Sequence, residues 1–293
     1  MKKLLYIIIG ILSLSVNAQD RALLIGISTY QEGTDWGKIH SYNDITLLQR
    51  VLPNTCKVTT LCDAEATYQG ITHAIDQFIQ DTRPGEQVLL HFSGHGQQML
   101  TNDPNEPDLL DEALIPYDAP MIRTSTYRGE HHLVDNQLDS LITLLRAKAG
   151  NNGLVVFSLD ACHSGHIQRG DSNRRGDSED EDEYTRGTSE IFGSNEISID
   201  SMYTVYKHWD KVDKTPLPCS KSMAHTIYLS ACMPFSVSYE IKENGEFYGP
   251  LTYAISKAYT SHSFSSIKEW LHSIEEYMRK EVQQDPYIIS TFH

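Results

Sequence analysis

The chain alternates between two hydrophobic periods. RALLIGIS (21–28) is an unbroken apolar run, the pattern of a strand buried on both faces. SYNDITLLQRVL (41–52) switches to helical spacing, with Asn43 or Asp44 near its start. KVTTL (57–61) reads as a second strand and ATYQGITHAIDQFIQ (66–80) as a second helix, closed by the Arg83-Pro84-Gly85 turn. EQVLLHFSG (86–94), GLVVFSLD (153–160) and HTIYLSAC (225–232) read as further strands. Helices are expected over 134–150, with Gly150 as the stop, over 248–259 and over 265–282. Strands alternating with helices predict an α/β domain with a mostly parallel sheet covered on both faces.

Such folds carry their chemistry beyond the carboxyl ends of the strands. Ser93-Gly94-His95-Gly96 leaves the third strand there, and Asp160-Ala161-Cys162-His163-Ser164-Gly165 leaves the fourth. His95 and Cys162 are the only histidine and cysteine that both sit at glycine-rich strand exits. A thiol needs a neighbouring imidazole to become a nucleophile, and its acyl chemistry needs donors for an oxyanion. His95 is the candidate base and Cys162 the candidate nucleophile. The Gly96 and Cys162 amides are the candidate oxyanion donors. Gly94 is expected to turn the chain off its strand. No CxxC or HExxH spacing accompanies these residues, which argues against zinc.

The N-terminus adds an export signal. Lys2 and Lys3 precede a thirteen-residue apolar stretch (4–16) and a small-residue site, Val16-Asn17-Ala18, so residues 1–18 read as a cleaved signal peptide. That predicts a periplasmic, cell-surface or extracellular protein with no membrane span after cleavage. Loss of the peptide lowers the basic count from 24 to 22 against 39 acids, moving the formal charge from −15 to −17. Such an acidic chain is a poor ligand for nucleic acid. Five cysteines are an odd number, so an exported chain keeps at least one thiol. Cys56 and Cys62 flank an extended stretch, which would hold them about 20 Å apart, too far to bridge. The remainder, 19–293, reads as one domain with an insertion at about 166–224. Its DSNRRGDSEDEDE stretch (171–183) is expected to be mobile and solvated.

Several ordered motifs resemble the metacaspases and their bacterial relatives among the caspase-like cysteine peptidases. They are RALLIGIS, SYND, FSGHGQQ, EPDLLDEALIPYD, SLDACHSG, YLSAC, NGEFYGPLTYAI and QQDPYI, in that order. The resemblance implies a three-layer α/β/α sandwich and a Cys162–His95 dyad cleaving protein or peptide substrates after Arg or Lys. Asp44, Ser93 and Asp160 match the family's pocket for the cationic side chain, in keeping with the carboxylate pairing a guanidinium demands. The bland alternatives are a helix cap for Asp44 and loop support for Asp160. Many relatives use calcium; Asp111, Asp135 and Asn136 are the matching positions, although Arg169 stands where the family often has an aspartate. No metal is required for the chemistry itself. Glu240 has no assigned role, and no third residue is identified that would orient His95. Arg169, Arg174, Arg175 and Arg186 offer self-cleavage sites within the insertion. The competing readings are a catalytically silent caspase-fold binding protein and a thiol amidase or acyltransferase.

Overall fold

The computed structural model describes residues 19–101, 110–162, 184–188, 191–194, 221–233, 238–261 and 266–292. The expected signal peptide, Arg169, Arg174, Arg175 and the 171–183 stretch lie outside these described residues.

In chain order, the first half of the domain comprises β1 (Arg21–Gly26), α1 (Ser41–Val51), β2 (Lys57–Cys62), α2 (Tyr68–Asp81) and β3 (Gln87–Ser93). Three short strands follow, β4 (Gly96–Leu100), β5 (Leu110–Leu114) and β6 (Leu133–Val134), then α3 (Asp135–Ala149) and β7 (Leu154–Asp160). After the insertion come β8 (His225–Ser230), the hairpin β9 (Ile241–Glu243) and β10 (Glu246–Tyr248), α4 (Pro250–Ser261), α5 (Ile267–Tyr277) and β11 (Tyr287–Ser290). The main sheet has the order β11-β8-β7-β3-β1-β2; only β11 runs antiparallel to its neighbour.

The continuous apolar runs are explained by two cores, one on each face of this sheet. Leu23 and Ile25 point to one face and pack with Ile71 and Ile75 of α2, Leu145 of α3, and Phe92 and Phe157. Ala22 and Leu24 point to the other and join Ile45 and Leu48 of α1, Leu251 and Ile255 of α4, and Trp270 of α5. The result is the expected three-layer sandwich. Truncating a fully buried leucine such as Leu24 to alanine costs about 2–5 kcal/mol. Local signals set the helix ends. Thr67 accepts the Gly70 amide at 3.0 Å to start α2, Ser266 accepts the Glu269 amide at 3.2 Å to start α5, and Gly150 ends α3 at φ 66°.

The sheet β4-β5-β6 has no counterpart in the sequence reading. Its first strand, GQQML, buries Gln97 and Gln98, so polarity at those positions concealed a strand. The insertion also differs from expectation. Its described pieces 184–188 and 191–194 lie against the domain instead of standing apart in solvent. Phe192 exchanges backbone hydrogen bonds with β4, through the Gln98 carbonyl (2.8 Å) and the Leu100 amide (3.0 Å).

Candidate active site

The parallel register brings the site together. Gly26 of β1, Ser93 of β3 and Asp160 of β7 are level partners at the carboxyl ends of three adjacent strands. Gly26 admits α1 close to the sheet: a Cβ there would strike Ile45 and sit 3.1 Å from the Ser41 carbonyl. This approach lets Asp44, on the inner face of α1, accept the Ser93 hydroxyl at 2.6 Å. Asp44 is therefore fully buried in the site and is not a helix cap; the N-cap is His40. Asp160 accepts the Thr252 amide (2.7 Å) and hydroxyl (2.6 Å), and Asp44 accepts the Gly249 amide at 2.8 Å. The positive end of the α4 dipole thus faces both carboxylates. His91 backs Thr252 at 3.3 Å, and burial drives its pKa down to about 3, so it serves as a neutral bridge.

The occupant of this pocket is Arg186, from the insertion. It has no exposed surface. One terminal nitrogen lies 2.8 Å from Asp44 Oδ2 and 2.7 Å from Glu240 Oε1. The other donates to Ser93 Oγ at 2.6 Å and to the Asp160 carbonyl at 3.1 Å, and stands 3.9 Å from Asp160 Oδ1. Burial opposes the guanidinium charge, yet Asp44, Asp160 and Glu240 together outweigh it and raise the Arg186 pKa further. Conversely, burial pushes Asp44 up to about 7 despite the arginine beside it, and raises Asp160 in the same way. Gly249 completes the wall, since a Cβ there would collide with the Asp160 carboxylate and come within 2.8 Å of the Arg186 guanidinium carbon.

The backbone around Arg186 lies as an extended ligand. The Arg186 amide donates to the Ser238 carbonyl at 3.0 Å, and the Glu240 amide donates to the Tyr184 carbonyl at 2.9 Å. The Arg186 carbonyl oxygen accepts both the Gly96 amide (3.2 Å) and the Cys162 amide (2.9 Å). These are the two donors expected for an oxyanion, converging on one oxygen. Gly187 then passes against the thiol residue; a Cβ on it would be 2.7 Å from the Cys162 carbonyl and 2.9 Å from that of Gly96. Cys162 and His95 are both buried beneath this segment.

His95 does have an orienting partner. Its Nε2 lies 2.9 Å from the Gly37 carbonyl, which can only accept, so Nε2 carries the proton and Nδ1 the lone pair. Nδ1 is buried with no hydrogen-bond partner among the described residues. Trp36 stacks on the ring at 4.9 Å and 26°, and Tyr30 packs at 5.1 Å while accepting the His95 amide at 2.8 Å. Burial drives the His95 pKa down to about 4, partly offset by the Gly37 carbonyl. Gly94 has an ordinary backbone; what requires glycine there is space, because a Cβ would meet the Phe92 ring at 2.7 Å and the Tyr30 hydroxyl at 3.2 Å. Sequence reasoning missed Gly37 and Trp36 and left Glu240 without a role. The first contributes through its backbone, which carries no residue signature.

Of the expected calcium positions, Asp111 lies on β5, and Asp135 and Asn136 open α3. Asp135 is pushed up to about 6, by burial first and then by the charge of Asp111, with the Asn136 amide opposing. The Asn136 amide donates to Asp135 Oδ1 at 2.8 Å. No group of three His, Cys, Asp or Glu side chains among the described residues is arranged to hold a metal ion. Cys56, Cys62, Cys162 and Cys232 are not disulfide-bonded, in keeping with the expected separation of the first two.

Comparison with known proteins bears on the chain as a whole. Residues 19–293 match the family model described as Caspase domain. Metacaspase-2 of Arabidopsis thaliana is 29% identical over 164 residues, which cover 52% of this chain and 36% of that protein. Metacaspase-1 of Mycosarcoma maydis is 23% identical over 301 residues, covering 94% of this chain and 71% of that protein. The matched region thus spans about a third of the first relative's length and under three quarters of the second's. The crystal structure of protein GSU0716 from Geobacter sulfurreducens shares the fold, with a TM-score of 0.61 at 20% identity, covering 92% of this chain and 93% of that one. The chain belongs to the caspase-domain family of cysteine peptidases, the family that includes the metacaspases.

Proposed function

We propose that this chain is an endopeptidase that cuts after arginine, and that its first substrate is its own Arg186–Gly187 bond. One observation carries the reading: the Arg186 side chain fills the acidic pocket while its carbonyl accepts the Gly96 and Cys162 amides. Side-chain recognition and carbonyl polarisation meet on a single residue, which is the arrangement acyl transfer needs.

The chemistry follows from the tautomer. His95 Nδ1 takes the Cys162 thiol proton, and the sulfur attacks the Arg186 carbonyl carbon. The carbonyl electron pair moves onto oxygen, where the two amides hold it. Collapse expels the Gly187 nitrogen, which leaves as an amine with the proton from His95. Water, deprotonated by His95, then attacks the acyl-sulfur bond, giving a carboxylate at Arg186 and restoring the thiol. No step is routed through calcium. Arginine is favoured over lysine because two terminal nitrogens are engaged by different partners, a fork that a single ammonium cannot reproduce. Export follows from the 1–18 segment, which would place the enzyme in the periplasm, at the cell surface or in the medium, acting on proteins and peptides there.

The test is mass spectrometry of wild-type, Cys162→Ala and Arg186→Ala chains, alongside matched fluorogenic peptides ending in Arg, Lys or Asp. Wild type should split after Arg186 and turn over the Arg peptide best; Cys162→Ala should do neither. Intact wild-type chain with no turnover would favour a silent binding protein. Thiol-dependent turnover of non-peptide amides alone would favour the amidase reading.

A further inference from the structure

Beyond the arginine, a second side chain of the bound segment is held. Tyr184, two residues before Arg186, meets His40 edge-on at 4.7 Å and 85°, and Phe247 edge-on at 5.1 Å and 74°. His40 and Phe247 themselves stack at 4.9 Å and 22°, forming one aromatic wall. The wall is fixed from several sides. The Asn43 side chain donates to the Phe247 carbonyl at 2.9 Å, and Lys242 Nζ lies over the Phe247 ring at 5.2 Å. His40 Nδ1 lies 2.6 Å from Glu240 Oε2, and the His40 amide donates to Glu240 Oε1 at 2.8 Å.

Glu240 therefore joins two contacts. Its Oε1 also receives the Arg186 guanidinium at 2.7 Å, and its amide donates to the Tyr184 carbonyl. That backbone hydrogen bond fixes the register: a peptide with arginine in the acidic pocket must present the side chain two residues earlier to His40 and Phe247. Edge-to-face packing onto two rings favours a flat aromatic side chain over an aliphatic or small one.

We propose that His40 and Phe247 form an aromatic subsite, held by Glu240, so that the preferred substrates read aromatic-X-Arg before the cut. This rests on the peptidase reading above. The experiment uses the full chain after it has cut itself at Arg186, with Tyr-Thr-Arg, Phe-Thr-Arg, Leu-Thr-Arg and Ala-Thr-Arg fluorogenic peptides. The aromatic peptides should exceed the alanine peptide in kcat/KM by roughly tenfold, and Phe247→Ala should bring that ratio toward one. If wild type cuts itself and cleaves all four peptides equally, the subsite is overturned while the peptidase reading stands. If neither the Arg186 bond nor any arginine peptide is cleaved, the peptidase reading fails and takes the subsite with it. The wild-type peptide series decides the matter even if Phe247→Ala fails to fold.

Discussion

Three fully buried carboxylates, Asp44, Asp160 and Glu240, share one cation, Arg186. Removing that cation should expose how much the pocket depends on it. The variant to make is Arg186→Ala in a Cys162→Ala background, so that no chain is cut. Breaking a buried ion pair from one side costs about 3–5 kcal/mol, and the lower end applies because the vacated pocket opens to water. A loss of about 3 kcal/mol corresponds to roughly 6–12 °C in melting temperature for a domain of this size. The pH dependence has a definite sign. Asp44 sits near 7 even with Arg186 present, above its ordinary 3.8. A carboxyl raised in the folded state is charged at a cost, and that cost grows as pH rises toward the folded pKa. Asp44 gains its proton more readily as the pH falls, with or without Arg186, so the two chains should differ least at pH 5.5. Above pH 7 only the chain with Arg186 holds the anion well, so the gap should be widest at pH 8.5. A small guanidinium compound such as agmatine, at about 100 times its Kd, should restore about 2.7 kcal/mol to the variant. Thermal melts at the two pH values, with and without agmatine, make the assay. Equal melting at pH 8.5, or no response to agmatine, would refute the view that the pocket is built around a guanidinium.

Four further outcomes follow from the geometry. Gly187→Ala should slow self-cleavage at least tenfold in a timed gel assay, because its Cβ would press on the Cys162 and Gly96 carbonyls. Gly249→Ala should raise KM for arginine peptides far more than it lowers kcat, since its methyl occupies guanidinium space. Self-cleavage should keep its rate down to an acid limb near pH 4, where His95 in the occupied cleft gains its proton, whereas peptide turnover by the opened enzyme should fail nearer the ordinary histidine pKa. Asp135→Asn should stabilise the fold by about 1–2 kcal/mol at pH 8 and leave it unchanged at pH 4 in chemical denaturation, because a carboxyl raised to about 6 destabilises only as it ionises.

What was legible in the sequence was what local pattern encodes. The apolar runs of β1, β3 and β7 gave the parallel sheet, and the glycine-flanked exits after β3 and β7 gave His95 and Cys162. Asp44, Ser93 and Asp160 were reached through the family resemblance; the level strand ends that bring Ser93 and Asp160 together belong to the tertiary structure. Other parts of the site lacked such a pattern. The Gly37 carbonyl orients His95 across 58 positions of chain, and any residue type has a carbonyl. Glu240 meets Arg186 across 54 positions, and a glutamate before a short hairpin looks like any solvated acid. Arg186 was read as one of four basic residues in an acidic insertion; only its tertiary placement reveals its role. The buried glutamines of β4 misled in the same way, since their polarity spoke for a loop while backbone pairing made a strand.

The pocket also gives the inserted arginine a role in folding, separate from the proposed cleavage. Asp44, Asp160 and Glu240 have no exposed side-chain surface, and desolvating anions without a counter-charge opposes folding. A site that recognises a guanidinium so completely is difficult to fold empty. Carrying Arg186 in the same chain supplies the missing charge at high effective concentration. The same step blocks the cleft, because the Arg186 carbonyl occupies both amides and Gly187 lies on Cys162. A cut at this bond would change the balance. It would create a new carboxylate on Arg186 within a low-dielectric site already holding three acids, and repulsion among them would weaken the product's hold. It would also lower the effective concentration of the tethered arginine once the downstream chain departs. Occlusion and release would then follow from one ion cluster read at two stages.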